Sequence, residues 1–564
     1  MLPSGSRGTV VSGPEAIAEA APAHPARPPL WLADAGLALA CALLVALVAE
    51  LVSRQLGLGL VDDAYISLRY AENWAHGQGL VFNPGERVEG FSNFLYVACE
   101  AALICCGLRS DSAASLPSGV AQAAIAALIY RLLRRQGVRW QAGAAVAACL
   151  IALEPSLLAW SRAGLEGPVY TLFVLAALHF ALVSRPTPGS VTAAMTAAVL
   201  GAATRPEGVL LIPLTALTVA RVPSARRKAV RAGCCAAAVC AAGFVARRAY
   251  YGQWLPNTYY AKLDGSSLAV ISRGAQYVGL AFALVLPAVL LSLASLWLLR
   301  PGAPGARAAP WLCVVLAWLL LLAAGVVWEG GDYFGMHRFM TPLFALLGLS
   351  ALGPWLCAEH TQPRSRCSRA ALGATMAAML LGWLAAVDLP LPHASNWQVL
   401  AAELDRGRLW VAAGEVLRRR SPPDAVIGAL AIGGIGERSR RVIVDGLGLI
   451  DARIAHLPIE LGRGVPGHEK FDVDAFFARR PDAILLPPQP VDMRLPRAWI
   501  NTVVGGPFLD RLKSDRRLDA GYALYYLPVG DRHWLHTFIR RNQIARWRLD
   551  GAIAAAEPKL QERE

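Results

Sequence analysis

Two adjacent carboxylates, Asp62 and Asp63, follow the first long apolar segment in the run Val-Asp-Asp-Ala-Tyr-Ile-Ser-Leu-Arg-Tyr. Paired carboxylates at a membrane surface are costly to desolvate unless they bind a cation or move a proton. One could accept a proton from a hydroxyl nucleophile while the other orients a cation or a substrate. A solvated helix N-cap is the structural alternative. We take the pair as the catalytic candidates, and a divalent cation (Mg²⁺ or Mn²⁺) bound by them is an open alternative.

Four further polar clusters interrupt the apolar sequence. Together they supply the carboxylate, guanidinium, ammonium, amide and phenol groups that bind sugars and phosphates. The clusters are Gly164-Leu165-Glu166, Thr204 to Gly208, Trp254 to Lys262 with Arg247 and Arg248, and Gly330 to Tyr333 followed by His337 and Arg338. Each also has a structural interpretation, respectively a helix-dipole partner, an ion pair closing a hairpin, an aromatic belt and a loop-fixing ion pair.

The composition around these clusters is that of a membrane protein. Of the 564 residues, 55% are hydrophobic and 17% are charged, whereas a soluble domain carries about 25% charge. This disfavours an ordinary cytosolic enzyme and a disordered chain. The net charge of +14 would suggest nucleic acid in a soluble protein, but here it is first a topology signal, and no nucleic-acid partner is predicted.

Eleven apolar segments predict transmembrane helices, of which the pair around Thr204 is short enough to form one broken or re-entrant unit. They are Trp31–Ser53, Ala113–Leu133, Ala142–Ala159, Pro168–Val183, Val191–Ala203, Val209–Ala220, Val230–Val245, Tyr277–Leu299, Pro310–Val327, Phe339–Cys357 and Ala370–Val387. The segment Phe94–Gly107 has only fourteen residues and is predicted to be an interfacial helix.

The arginines set the orientation of these segments. With Phe94–Gly107 outside the span count, the basic clusters at 131–139, 221–231, 300–307 and 364–369 fall on one side. Short basic loops mark the cytoplasmic side of a membrane. The N-terminus is then cytoplasmic, and all five polar clusters are extracytoplasmic, together with the chain after the last span.

Three regions follow from this pattern. They are a disordered cytoplasmic N-terminus (1–30), a transmembrane catalytic domain (31–388) whose first outer loop is 54–112, and an extracytoplasmic α/β domain (389–564). In the last region, strands are predicted at Ala425–Ile432, Arg441–Val444, Ala483–Leu486 and Tyr522–Leu527, and helices at Trp397–Arg420 and Val473–Arg480. The glycines at 433, 434 and 436 favour a strand-ending turn over a dinucleotide loop.

The full motif from Asp62 to Gly90 resembles the first outer loop of membrane glycosyltransferases of the GT-C superfamily. It is most similar to the terminal arabinofuranosyltransferases of mycobacterial cell-wall synthesis and their bacterial relatives. The similarity continues through the four polar clusters, and in the tail through Asp445 to Asp451, Ile454 to His456 and Gly467 to Lys470. Gly167 departs from the pattern, which has Thr after Gly-Leu-Glu.

The resemblance implies a GT-C fold with Asp62 or Asp63 as the essential acidic residue. It places eight residues in the donor pocket: Glu166, Arg205, Glu207, Asn257, Tyr259, Lys262, Asp332 and Arg338. Neighbouring polar residues are candidates for the same pocket: Arg69, Glu89, Asn93, Arg248, Tyr260 and His337. In the tail, the residues that would contact the acceptor or connect the domain to the cavity are Asp445, Asp451, His456, His468, Glu469 and Lys470.

The predicted activity is transfer of arabinofuranose from a decaprenyl-phosphate-type donor to a cell-envelope glycan or an exported glycoprotein. The expected location is a bacterial inner membrane, crossed several times, with the active site and the C-terminal domain outside. A mannosyl- or hexosyltransferase using a polyprenyl-phosphate hexose is the alternative within the enzyme class. A transporter or flippase of lipid-linked sugars is a different class, which often has repeat symmetry and charges at the bilayer midplane. No repeat is evident here, and the charges lie at the outer face.

Overall fold

The computed structural model describes residues 30–264, 267–297, 300, 309–358, 366–388, 396–486, 506–530 and 533–555. The prediction of disorder at the N-terminus concerns residues outside these ranges, apart from residue 30.

Helices make up the N-terminal two-thirds of the described chain. In order they are α1 (Leu30–Leu56), α2 (Asp62–Ala75), α3 (Phe94–Cys105), α4 (Ser110–Arg135), α5 (Gln141–Ala152), α6 (Pro155–Trp160), α7 (Gly167–Ala181), α8 (Pro188–Thr204), α9 (Leu211–Ala220), α10 (Arg226–Tyr251), α11 (Asn257–Lys262), α12 (Leu268–Leu284), α13 (Leu286–Trp297), α14 (Ala309–Trp328), α15 (Thr341–Ala358) and α16 (Arg366–Asp388). Short 3-10 turns at Pro206–Leu210, Pro223–Ala225 and Arg338–Met340 lie between them.

Among the described residues, five helices are long and apolar enough to cross a membrane, namely α1, α4, α10, α14 and α15. The pair α12 and α13 would form a sixth span, although it bends by 83°. Every predicted apolar segment coincides with a helix or a consecutive pair of helices in the described residues, but several of these helices, such as α7 and α9, are shorter than a full span by length alone. For example, α5 ends after 12 residues, and α6 restarts at Pro155, where the Glu154 side chain caps the new helix.

The helices of the membrane domain pack around a core formed mainly by α4, α7, α14 and α15. Close approach depends on small residues at some crossings: a Cβ on Gly274 of α12 would lie 2.1 Å from the Val327 carbonyl oxygen of α14. At the basic end of the bundle, the Asp34 carboxylate accepts hydrogen bonds from Tyr130 and Arg134 at 2.9 Å, which ties α1 to α4. These contacts fix the ends of the helices and thereby the loops between them.

The C-terminal region folds as the predicted α/β domain. It contains α17 (Asn396–Arg420), β1 (Val426–Ala429), α18 (Gly433–Ser439), β2 (Val442–Asp445), α19 (Ala452–Ala455), α20 (Val473–Ala478), β3 (Ala483–Leu485), α21 (Pro507–Lys513), α22 (Arg516–Gly521), β4 (Tyr522–Val529), β5 (His533–Arg540) and β6 (Ile553–Ala554). The sheet order is β2-β1-β3-β5-β4-β6, with β1 parallel to β2 and β3 and the other pairings antiparallel. All four predicted strands and both helices are confirmed, whereas β5 and β6 were not predicted.

The tail domain and the first outer loop share one hydrophobic core. Tyr70 and Phe82 of the loop are buried in the same cluster as Trp410 of α17, Ile427 of β1 and Ile435 of α18. Burial of this much apolar surface holds the tail against the loop. As a result, α2 lies between the membrane domain and the tail, with the two aspartates at its N-terminal end.

Candidate active site

Asp62 and Asp63 begin α2, but their side chains have different partners. The Asp62 carboxylate accepts hydrogen bonds from the backbone N–H of Gly433 at 3.2 Å and of Gly434 at 2.8 Å. It therefore caps α18 of the tail domain. A Cβ on Gly433 would lie 2.0 Å from the Asp62 carbonyl oxygen, so this approach requires glycine. Burial raises the pKa of Asp62 to about 7.

Asp63 instead faces the loop between α14 and α15. Its Oδ2 atom forms an ion pair with Nη1 of Arg338 at 3.1 Å, and Nε of Arg338 lies 2.5 Å from Oδ2 of Asp332. The Asp63 side chain is 29% exposed, whereas that of Asp332 is 4% exposed. Within the described chain, Oδ1 of Asp63 makes no hydrogen bond, so this oxygen remains able to accept a proton or a hydroxyl group.

Side chains from α11, from the Tyr333 loop and from the tail surround Asp63. The ring of Tyr333 lies 5.5 Å from that of His468. The Asp63 carboxylate favours the charged form of His468, although burial, the larger effect, lowers the pKa of this imidazole. The Lys262 ammonium lies close enough to oppose protonation of His468, and it forms no ion pair with any residue that the structure describes. Glu403 of α17 completes this side of the site, and burial raises its pKa.

A second charged cluster surrounds Arg205, which follows α8. Its guanidinium contacts three carboxylates, those of Glu166 at 2.9 Å, Glu207 and Glu329 at 3.7 Å. All four side chains are at most 13% exposed. Asn93 donates a further hydrogen bond to Glu166 at 3.1 Å. With three carboxylates around one cation, burial and the nearby Glu207 raise the pKa of Glu329 well above its usual range.

Phe339 connects the two clusters. The guanidinium of Arg205 lies 4.1 Å from the centre of its ring, and that of Arg338 lies 5.1 Å from the same centre. Cations over an aromatic face are stabilised by the quadrupole of the ring. The residues from Asp63 to Arg205 thus form one continuous polar site between the membrane helices and the tail.

Several predicted donor-pocket residues lie outside this site and hold the tail on the outer loop. Arg69 donates to the Phe82 carbonyl at 3.1 Å, and Asn257 donates to the carbonyls of Gly448 and Leu449 at 2.8 Å. Each of these side chains is engaged in joining backbone segments. Their roles in donor binding stay predictions.

Three other predicted residues lie at the edges of the site. Glu89 forms an ion pair with Arg247 at 2.7 Å, and Arg248 donates to the Gly252 carbonyl beside Trp254. His337 is buried next to Tyr277, and burial lowers its pKa to about 4, so the imidazole is neutral.

The predicted tail residues divide into two groups. Asp445, Asp451, Glu469 and Lys470 shape the loops around α19: the carboxylates accept backbone N–H groups, Glu469 also pairs with Arg273, and Lys470 donates to the Ala455 carbonyl. His456 and His468 contact aromatic rings of the membrane domain. The His456 ring stacks on Tyr260 at 4.1 Å, and Tyr259 packs beside Tyr260 at 5.6 Å.

The proposed cation site at Asp62 and Asp63 does not fit this geometry. Both oxygens of Asp62 accept backbone N–H groups, and Asp63 is paired with Arg338. No group of three or more His, Cys, Asp or Glu side chains within the described ranges is arranged to hold a metal ion. We therefore derive no chemical step through a metal at these two residues.

The architecture of the chain is similar to that of a solved structure. ArnT from Cupriavidus metallidurans bound to undecaprenyl phosphate matches with a TM-score of 0.53 and 14% identity, over 91% of this chain and 98% of that chain. The chain has the GT-C fold. The archaeal oligosaccharyltransferase AglB from Archaeoglobus fulgidus, in complex with an inhibitory peptide and a dolichol-phosphate, matches at a TM-score of 0.48 and 12% identity, over 91% and 75% of the two chains.

Comparison by sequence is less informative than the fold. Residues 397–536, most of the tail domain, match a family described as "Domain of unknown function (DUF8728)". No curated protein sequence matches the chain. The arabinofuranosyltransferase resemblance therefore stays a prediction, whereas the GT-C fold and its C-terminal sheet domain are confirmed.

Two carboxylates of the site, Glu329 and Glu403, were not predicted from the sequence. Glu329 directly follows the apolar helix α14, in the segment Trp328–Arg338 that was already placed outside. A carboxylate at the end of a span is a signal that could have been used. Glu403 lies in an amphipathic helix with several other charges, and nothing in the local sequence distinguishes it from a solvated surface residue.

Proposed function

We propose that this protein is a glycosyltransferase that transfers a sugar from a polyprenyl-phosphate carrier to a hydroxyl group. The observation that carries the proposal is the partly exposed Asp63 carboxylate, held by Arg338 on one oxygen and open on the other. Lys262, which forms no ion pair within the described residues, and Asp63 both lie close enough to His468 to affect its pKa. The GT-C fold supports the proposal, since ArnT with this fold was solved with undecaprenyl phosphate. A base and a cation on one side of a cavity suit displacement of a phosphate by an alcohol.

In the proposed reaction, the acceptor hydroxyl lies against Oδ1 of Asp63. The hydroxyl oxygen forms a bond to the anomeric carbon of the sugar while the bond from that carbon to the lipid phosphate oxygen breaks. The carrier leaves as polyprenyl phosphate with the electron pair of the broken bond, and the hydroxyl proton passes to Asp63. Arg338 and Asp332 keep the Asp63 carboxylate in position during this step.

The leaving phosphate needs cations. The site holds Arg205, which is paired with three carboxylates, together with Arg338 and Lys262. Arg338 is already paired with two carboxylates, so most of its charge is neutralised. Lys262 is the cation that forms no ion pair within the part of the chain that the structure describes, and it is the candidate for direct contact with the phosphate.

We expect Lys262→Met to weaken donor binding about tenfold or more, because a hydrogen bond to a charged group contributes about 1.5–3 kcal/mol. The measurement is the KM for a polyprenyl-phosphate sugar in detergent. Arg463→Met is the matched control, since Arg463 is 79% exposed on the tail. A donor KM that is the same in the Lys262→Met variant and in the wild type would contradict the assignment.

The sugar is proposed to be arabinofuranose, on the resemblance of the outer-loop motif, with a hexose such as mannose as the alternative. The deciding experiment supplies the purified protein with polyprenyl-phosphate arabinose, mannose and glucose in parallel and measures transfer to glycan fragments. Transfer of arabinose alone supports the specific proposal. Transfer of a hexose supports the alternative, and movement of intact lipid-linked sugar between bilayer leaflets without transfer would support a flippase.

The site is also proposed to face the outside of a bacterial inner membrane. Helix α4 supports this: its first residue, Ser110, contacts Glu72 of the outer loop, and its last turn holds Arg134 and Arg135. Its 26 residues separate the two ends by about 39 Å at 1.5 Å per residue. The basic end of α4 and the tail domain therefore lie at opposite ends of this helix.

A reporter that is active only outside the cytoplasm tests this orientation. We expect a fusion after Asp388, the last residue of α16, to be active, and a fusion after Arg139, in the basic loop, to be inactive. The reverse pattern would place the site in the cytoplasm and would remove the basis for a donor delivered at the outer face.

A further inference from the structure

A second cavity, distinct from the site around Asp63, lies where the outer loop meets the tail domain. Its volume is about 490 Å³, within the range of about 300–1,000 Å³ that is typical of ligand pockets. Seven polar side chains line it, from the end of α2, the start of α4 and the end of α18: Glu72, Asn73, His76, Gln78, Arg109, Ser110 and Arg440. The tail contributes Arg440 to this lining, and the other residues come from the outer loop and the start of α4.

The charged residues of this cavity are held in place by one another. Glu72 is 5% exposed and forms an ion pair with Arg440 at 3.2 Å, its carboxylate lies 3.3 Å from Nδ1 of His76, and it also accepts a hydrogen bond from Ser110. Arg440 has a φ of +57° at the C-terminal end of α18. Glycine is the usual residue in this left-handed position, so an arginine is retained there at a conformational cost and its side chain reaches Glu72.

Two other groups of the cavity are open. Arg109 forms no ion pair and Gln78 makes no side-chain hydrogen bond within the described residues, and both side chains are exposed. Ile104 and Leu108 add an apolar strip on one wall. The cavity thus presents a fixed carboxylate, an open amide, an open guanidinium and an apolar strip. These groups suit a ligand that has hydroxyl groups on its edge and C–H groups on its face. A carbohydrate is such a ligand.

The cavity is connected to the site around Asp63 by a single helix. Glu72 follows Asp63 by nine residues on α2, which corresponds to about 14 Å along the helix axis. It lies on the side of α2 that faces α4 and α18, whereas Asp63 faces Arg338. A sugar bound in the cavity is therefore not the one that reacts.

We propose that this cavity is a glycan-binding subsite, which tethers a polymeric acceptor to the enzyme while another part of the polymer reaches Asp63. The proposal rests on the proposed function for the identity of the glycan as an acceptor. A tether of this kind raises the local concentration of acceptor hydroxyls without contacting the reacting atoms. It therefore affects long acceptors and leaves short ones unaffected.

The test uses the full-length protein in detergent and the double variant Gln78→Leu/Arg109→Met. Both side chains are exposed and unpaired, so we expect the thermal unfolding temperature to be unchanged. Binding of arabinan, galactan and mannan oligosaccharides is measured directly, together with the KM for a long and a short acceptor. We expect the double variant to bind the preferred oligosaccharide about tenfold or more weakly, since two polar contacts are lost. The KM should rise for the long acceptor alone.

The outcomes separate the two proposals. The subsite is supported if the wild type binds oligosaccharides and the double variant does not. If this result is obtained but no sugar transfer is observed, the proposed function fails and the subsite stands. Absence of oligosaccharide binding by the wild type, or equal binding by both proteins, overturns the subsite. If the double variant keeps oligosaccharide binding but loses binding to phosphatidylglycerol vesicles, the cavity is a lipid headgroup site and the glycan subsite is overturned. Arg463→Met again serves as the control for loss of an exposed arginine.

Discussion

Asp63→Asn is expected to lower sugar transfer by about 10²- to 10⁴-fold, the contribution that a positioned general base makes. Asparagine keeps the size of the side chain but cannot take the proton of the acceptor hydroxyl. The Asp63 side chain is 29% exposed, so the unfolding temperature in detergent should stay close to that of the wild type. Transfer is measured with a labelled polyprenyl-phosphate sugar and an acceptor glycan. Wild-type rates in Asp63→Asn would contradict the catalytic assignment.

The neighbouring residue provides the matched comparison, because Asp62 has the opposite role in the structure. Asp62→Ala removes the acceptor of two buried backbone N–H groups at the start of α18, and each unsatisfied group costs about 1–3 kcal/mol. We expect a lower unfolding temperature and loosening of the tail, detectable as faster proteolysis between the domains. If both variants lost activity with no change in stability, the two carboxylates would have to act together.

The contrast between these two aspartates shows what the sequence alone could provide. Both are carboxylates at the start of one helix, and nothing in the local sequence indicates which of the two has which role. The partner of Asp62 is Gly433, about 370 positions later in the chain, and that of Asp63 is Arg338. A functional assignment within the pair therefore depends on how the tail docks, which no local pattern encodes.

The fold itself was more accessible than the site. Apolar runs predicted β1, β2 and β3 correctly because these strands are buried almost throughout. In β4, buried and partly buried residues alternate over much of the strand, and α17 was predicted from its helix-like pattern. Strand β5, His533-Trp-Leu-His-Thr-Phe-Ile-Arg, was missed since two histidines and a threonine break the apolar pattern, although His536 and Thr537 are buried. The apolar runs also located the membrane helices, but apolar composition does not show where a helix is interrupted, as between α5 and α6.

Arg205→Met is expected to be the most destabilising single substitution at the site. Among the described residues, Arg205 is the one cation that forms ion pairs with Glu166, Glu207 and Glu329, and its side chain is 7% exposed. Removing one partner of a buried ion pair leaves uncompensated charge and costs about 3–5 kcal/mol. We expect a clear fall in the unfolding temperature in detergent and a reduced yield of folded protein. An unfolding temperature equal to that of the wild type would show that the carboxylates are already neutral without the arginine.

Neutralising the carboxylates should reverse this loss of stability. In the triple variant Arg205→Met/Glu207→Gln/Glu329→Gln, the uncompensated charge is reduced to that of Glu166, to which Asn93 still donates a hydrogen bond. We expect the unfolding temperature to recover most of the loss, because the destabilisation comes from buried like charges rather than from lost packing. Sugar transfer should stay low in the triple variant if the cluster contacts the donor. Recovery of both stability and transfer would instead assign Arg205 a purely structural role, that of holding together the loops that meet at Phe339.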